Sequence, residues 1–298
     1  MGVTTALERF ADEIGRDDRV WIAGHGTRTP APSDVRIVRA PAGVIDFQPD
    51  EMTLRCGAGT PIAEVDAVLA AHGQYVNLGQ AGSSLGTVGG ALAHGHDDHL
   101  RLGRGSMRDS LLEARFVDGE GRVIVAGGPT VKNVSGFDLC RLLVGSRGTL
   151  GALGEVVLRT RPLPRHHEWW RMTDVVDPNA MLDRLHRPTS FLWDGGTAWI
   201  LIEGHRDDID RSRGGFAVEI VEGPPSFAAL PHRHSFPPSR MVVTTPDIGE
   251  VGVGLVHSSR PGPRADVPDA IRAIHDRLID GFDPRRRLNP GLGHPLDW

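Results

Sequence analysis

Two cysteines, one tyrosine and no long apolar run set the first limits on this 298-residue chain. Cys56 and Cys140 stand far apart in unlike contexts, so neither a disulfide framework nor a cysteine-based zinc module is expected. The chain also lacks the cysteine cluster that an iron–sulfur centre needs. Without a run of about 18 apolar residues no transmembrane helix is expected. The opening "MGVTTALERFADEIGRDDRVWIAG" has an amphipathic helix pattern with interspersed charge, not that of a signal sequence. Together these point to a reducing, cytoplasmic setting. Basic charge is not in excess, with 33 Lys and Arg against 38 Asp and Glu and a net charge of -5. That balance gives no electrostatic ground for a nucleic-acid or acidic-membrane partner. The arginine runs "RPGPR" and "DPRRRLNPG" are short, interrupted by proline or glycine, and read as solvated surface.

Glycine (38) and proline (22) are plentiful instead, and the glycines cluster. Clustered glycine means tight turns or close backbone approach to a ligand, a first hint of a large cofactor. Strands are predicted over 19–24, 35–40 and 52–57, and a helix over 61–73 with proline in its first turn. Ile62, Val65, Val68 and Leu69 form its apolar face, and Gly73 stops it. A β-hairpin spans 111–127 with its turn at Asp118–Gly121. After Pro164 the glycine clusters thin and tryptophans appear at 169, 170, 193 and 199. Strands are predicted there over 197–204 and 250–258, a helix over 267–282, and an irregular loop over 224–239. The pattern places a domain boundary near 165.

Three glycine loops carry the chemistry. The first, "IAGHGTRTP" (22–30), follows a strand, and successive amides in such a turn form a concave donor array for pyrophosphate oxygens. The second, "GQAGSSLGTVGGALAHG" (79–95), offers unhindered amides and hydroxyls before a helix start, a setting that favours anions. It is not a Walker loop, since no Gly-Lys-Ser/Thr follows, and it lacks the strand–GxGxxG–helix unit of a Rossmann fingerprint. The third is "TVKNVSGFDLCRLLVGSRGTLGALGEVVLR" (130–159).

Taken in order with "GRGSMRDSLLEARFVDGEGRVIVAGG", these loops make residues 20–164 resemble the FAD-binding domain of the vanillyl-alcohol oxidase, or PCMH-type, flavoproteins. The string "KNVSGFDLCRLLVGSRGTLG" is the most specific piece. Within that superfamily the chain is most similar to the short FAD-binding subunits of bacterial glycolate oxidases, through "GGPTVKNVSGFDL" and the closing "FDPRRRLNPG". The resemblance implies an α+β protein: a PCMH-type FAD-binding domain of two α/β subdomains (1–164), then a small α+β substrate or cap domain (165–298). The last segment, 283–298, would return to the FAD domain. It implies FAD contacts at Ala23, Gly24, His25, Gly26 and Thr27, and at Gly82, Ser83, Ser84, Gly86, Thr87, Gly89 and Gly90. It extends them to Arg104, Ser106, Asp109, Gly145, Gly148, Gly151 and Val156. His25 stands where many relatives have glycine, one position from the histidine that some members use for covalent attachment, so noncovalent FAD is expected.

The larger hydroxy-acid-oxidising relatives carry a histidine-rich metal motif in the cap domain, and this chain has none. Catalytic assignment is open, with His94, His96, His257 and Arg260 as candidates. The resemblance implies an FAD-dependent oxidoreductase that oxidises a small 2-hydroxy acid or relays electrons. Its partners would be a larger flavoprotein and an iron–sulfur protein, with membrane association only through them. A flavin-binding subunit that serves assembly without its own catalysis is a second alternative.

One motif stands outside this scheme. "HGHDDH" (94–99) matches the H-x-H-x-D-H order of metallo-β-lactamase-fold hydrolases, with His94, His96, Asp98 and His99 as ligands. His166, Asp194 and His205 or His257 would complete a two-zinc set. The motif follows small residues and a glycine loop rather than a strand that would aim the imidazoles. A solvated polar loop, a proton-transferring role beside the flavin and a metal site all stay open here.

Overall fold

Glycine and proline keep the strands short, and the chain folds into sixteen of them with eight α-helices among the described residues. The computed structural model describes residues 5–27, 30–79, 85–128, 138–262 and 267–292. In chain order, α1 (Ala6–Ile14), β1 (Val20–Ile22), β2 (Arg36–Val38), β3 (Val44–Gln48), β4 (Thr53–Gly57), α2 (Ile62–Ala70) and β5 (Gln74–Tyr75) come first. Next are α3 (Val88–His94), α4 (Arg101–Arg104), β6 (Leu111–Val117), β7 (Val123–Gly127), α5 (Leu139–Leu143), β8 (Ala152–Arg159) and β9 (Arg161–Pro162). Then follow β10 (His166–Met172), α6 (Pro178–Leu182), β11 (Ser190–Trp193), β12 (Ala198–Gly204), α7 (Arg206–Arg213) and β13 (Glu219–Val221). The chain closes with β14 (His232–Ser235), β15 (Ile248–Glu250), β16 (Leu255–Ser258) and α8 (Asp269–Phe282). This is an α+β fold.

Two compact units result, and the chain visits them alternately. The first comprises 1–96, 106–162 and 264–298, and the second 97–105 and 163–263.

The first unit is built on an antiparallel sheet of order β3-β4-β8-β6-β7. Leu54, Ala114, Val156 and Leu158 alternate onto its core face, where Val65 and Leu69 of α2, Leu92 of α3 and Ile279 of α8 pack on them. Each such aliphatic side chain contributes about 1.5–3 kcal/mol when fully buried. A smaller layer joins α1 to the parallel pair β1–β2 through Leu7, Phe10, Ile14, Val20, Val38 and Leu288. The amphipathic N-terminal pattern yields only the nine residues of α1. Thr5 and Glu8 close a capping box at its start, and Gly15 ends it with φ 58°. Pro61 serves as the N-cap of α2 rather than lying inside its first turn.

The second unit is a seven-stranded antiparallel sheet of order β13-β10-β12-β11-β15-β16-β14. Strict alternation sends adjacent residues to opposite faces. Trp170, Ile200, Ile202 and Phe191 form one core with Ile209 of α7. Trp169, Leu201, Leu192 and Ile248 form the other with Leu100, from the 97–105 segment. Two expectations change here. Residues 250–258 are not one strand but the hairpin β15–β16, because Gly252 and Gly254 take φ of 80° and 82° and reverse the chain. The 224–239 stretch is not wholly irregular, since β14 within it pairs with β16 and closes the sheet.

His99 is committed to this second unit. Its ring stacks on Phe227 at 5.7 Å between centroids, and its Nδ1 lies 3.1 Å from the Ser190 Oγ. Desolvation outweighs the attraction of Asp98 and Glu250 and holds the imidazole below its ordinary 6.5. The unfolded chain therefore takes up this proton first as pH drops. The stability that neutral His99 contributes is complete above 6.5 and is lost as pH falls through that value toward the lowered folded pKa. A His99→Asn variant is expected to lose less stability than wild type between about pH 7.5 and about pH 5.5, read from urea midpoints. Parallel losses in the two proteins would contradict the assignment.

Candidate functional site

The site grows from the C-terminal end of β1. Ile22 pairs with Val38, and Ala23 donates to the Val38 carbonyl at 2.9 Å, so the chain leaves the β1–β2 pair and turns through 24–27. This turn meets the start of α3. Thr87 caps that helix by accepting from the Gly90 amide at 3.2 Å, and its Oγ1 stands where a Cβ on Gly24 would lie, 2.6 Å away. Only glycine lets the two segments approach this closely. The α5–β8 loop brings Arg147, Gly148 and Gly151 to the same place.

Asn289 ties β1 to the α5–β8 loop. Its Oδ1 accepts from the Ile22 amide at 2.7 Å, its Nδ2 donates to the Arg147 carbonyl at 2.6 Å, and its own amide donates to the Val20 carbonyl at 2.9 Å. The left-handed φ of 44° that this geometry needs is one asparagine tolerates better than most residues.

Between these segments lies a cavity in two lobes, of about 650 Å³ and about 470 Å³ including space open to solvent. The lobes share Ile22, Ala23, Gly24, Thr87, Gly90, Ala93 and Asn289. The walls are largely glycine and alanine, so the backbone faces the space directly. Among the described residues no carboxylate lines either lobe, whereas His25, His94 and Arg147 line the larger one. Burial pulls the Arg147 guanidinium down to about 10, which leaves it charged at neutral pH.

Of the residues expected at the cofactor, Ala23, Gly24, His25, Gly26, Thr27, Gly86, Thr87, Gly89, Gly90, Gly148 and Gly151 line this cavity. Gly82, Ser83 and Ser84 lie outside the described residues. The others sit elsewhere. Arg104 pairs with Glu203 at 2.5 Å in the second unit. Ser106 caps a short 3-10 turn, and Asp109 pairs with Arg141 at 2.7 Å. Gly145 packs against Gly95, and the Val156 side chain is spent in the sheet core. His25 holds Nδ1 3.0 Å from the Leu85 carbonyl.

The catalytic candidates separate as well. His94 lines the cavity, and exposed His96 meets it edge-on at 5.8 Å between ring centroids. His257 sits in the second unit with Nε2 2.7 Å from Glu250 Oε1, against Phe227. Arg260 is exposed on a loop. The zinc alternative requires His94, His96, Asp98 and His99 to converge. Among the described residues no group of three or more His, Cys, Asp or Glu side chains is placed to hold a metal ion. His94 and His96 belong to one unit and Asp98 and His99 to the other, so the six-letter motif is divided by the fold.

Sequence reading set Arg147 between the expected contacts Gly145 and Gly148 without a role of its own, and did not foresee that Asn289 clamps β1 to the α5–β8 loop. Nor is any helix among the described residues long and apolar enough to cross a membrane.

The FAD binding domain family matches residues 16–127. The chain is 35% identical over 231 residues to glycolate oxidase subunit GlcE of Escherichia coli, covering 73% of this chain and 65% of that one. It is 31% identical over 166 residues to a D-lactate dehydrogenase of Archaeoglobus fulgidus, covering 54% of this chain and 37% of that one. The chain thus spans less than two thirds of the length of these relatives. Among solved structures, alkyldihydroxyacetonephosphate synthase shares the fold, with a TM-score of 0.56 and 17% identity over 70% of this chain and 47% of that one. The chain is thus similar to the FAD binding domain family over residues 16–127 and to a glycolate oxidase subunit over most of its own length.

Proposed function

We propose that the chain binds FAD noncovalently in the cavity of its first unit and works as an oxidoreductase subunit acting on a small 2-hydroxy acid. The carrying observation is the cavity itself: backbone-lined, free of carboxylates among the described residues and walled on one side by a cation. That donor set fits a dinucleotide diphosphate. The amides of Gly24 to Thr27 and the Thr87 region would hold the phosphates, and Gly148, Gly151 and Leu153 would flank the remainder. FAD, when bound, supplies the site that accepts a hydride equivalent from the α-carbon. His94, on the cavity wall, is the side chain best suited to move a proton there near neutral pH.

The 2-hydroxy acid reading is supported by the names of the relatives, a glycolate oxidase subunit and a D-lactate dehydrogenase. The subunit reading is supported by the first of those names. In it, the chain works beside a larger flavoprotein and an iron–sulfur protein, in the cytoplasm or held to a membrane complex through them. The second unit serves as the substrate domain. An assembly role without catalysis is the alternative.

The visible spectrum of the purified chain tests the reading. The two absorption bands of oxidised flavin, surviving dialysis and released on denaturation, are expected. Bleaching by glycolate or D-lactate, alone or with the partner proteins, is expected to follow. A colourless chain carrying stoichiometric zinc would overturn the proposal, and flavin that no hydroxy acid reduces would leave the assembly role.

A further inference from the structure

The α5–β8 loop reads Gly145-Ser146-Arg147-Gly148-Thr149, and a long cation stands out among its small neighbours. Arg147 adopts φ 52°, a conformation that side-chain-bearing residues take rarely and that glycine takes freely. The fold holds it there from both sides. Its amide donates to the Ala93 carbonyl at 2.8 Å, and its carbonyl accepts from Asn289 Nδ2 at 2.6 Å. Held in this way, the side chain lines the same lobe as the 24–27 turn and Thr87.

The electrostatics of that lobe are one-sided. Among the described residues no acidic side chain lines it, and the positive charge of Arg147 shares its wall with the turn amides. A partly buried guanidinium beside such amides is a setting for an anion with several oxygens. Guanidinium groups recognise phosphate oxygens through paired hydrogen bonds. We propose that Arg147 is the cation that binds the diphosphate of the cofactor, and so makes this site select flavin and adenine ligands that carry phosphate. The assignment rests on the reading that this cavity takes FAD.

The test is equilibrium binding of FAD, ADP, adenosine and riboflavin to the flavin-free chain, in wild type and in Arg147→Lys and Arg147→Gly. Glycine accepts φ 52° without strain, so Arg147→Gly removes the charge while keeping the loop, and its melting temperature checks the fold. That variant is expected to bind FAD and ADP about tenfold to hundredfold more weakly, with adenosine and riboflavin essentially unchanged. Arg147→Lys keeps the charge but not the paired geometry, and its affinity for FAD and ADP is expected to fall between wild type and Arg147→Gly. The salt dependence of ADP binding should be shallower in Arg147→Gly than in wild type. Unchanged FAD and ADP affinity in Arg147→Gly would overturn the assignment while leaving the FAD reading standing. An equal loss for adenosine and riboflavin would also overturn it, by showing a merely structural role. Failure of wild type to bind FAD or ADP would overturn both.

Discussion

Replacing Arg287 with methionine is expected to destabilise the protein by about 2–5 kcal/mol, because several backbone carbonyls lose a charged donor and each buried group left unsatisfied costs about 1–3 kcal/mol. Arg287 is 1% exposed, and its guanidinium meets only backbone carbonyls among its hydrogen-bond partners. Nε donates to Gly119 at 2.7 Å, Nη1 to Ile14 at 3.1 Å and to Asp18 at 2.6 Å, and Nη2 to Gly15. One side chain thus satisfies the end of α1, the segment before β1 and the β6–β7 turn. Methionine matches much of the volume but offers no donor to the carbonyls of Gly119, Gly15 and Asp18, and leaves that of Ile14 only the 3.4 Å bond from Arg36. Burial lowers the guanidinium pKa, and nearby Asp283 opposes the shift. Urea unfolding reads the loss directly. A change below about 1 kcal/mol would show that water or repacking replaces the contacts.

The second large effect concerns the cofactor. Asn289→Asp keeps the acceptor for the Ile22 amide but replaces the donor to the Arg147 carbonyl with a carboxylate oxygen facing that carbonyl. The clamp between β1 and the α5–β8 loop then opens on one side. The expected result is FAD affinity lower by about tenfold to hundredfold, together with a stability loss of about 1–3 kcal/mol. Isothermal titration of wild type and variant, with melting curves on the same samples, separates the two effects. Wild-type affinity in Asn289→Asp would mean that the clamp does not shape the site.

Local patterns made much of this fold legible. The hairpin of β6 and β7, the face of α2 and the strand β12 follow from periodicity and turn residues that act over a few positions. The segments that local pattern left open need long-range partners. Gly252 and Gly254 signal a turn, yet the apolar residues around them also fit a strand, and pairing with β11 and β14 settles the register. Residues 97–105 look like a continuation of the glycine loop. Leu100 packs in a core of the second unit, with residues about a hundred positions away. The cavity was legible where its chemistry is local, in glycine loops whose amides need space. It was illegible at Arg147 and Asn289, because their roles come from a contact across 142 residues of chain. Val156, inside the same motif, buries its side chain in the sheet core and so offers only backbone to any ligand.

The most direct test of the central claim is titration of the flavin-free chain with FAD at equilibrium. Saturable binding of one FAD per chain is expected, released on denaturation and weakened in Asn289→Asp. Absence of saturable binding, or binding that neither Asn289→Asp nor occlusion of the cavity by Gly24→Trp alters, would contradict the claim.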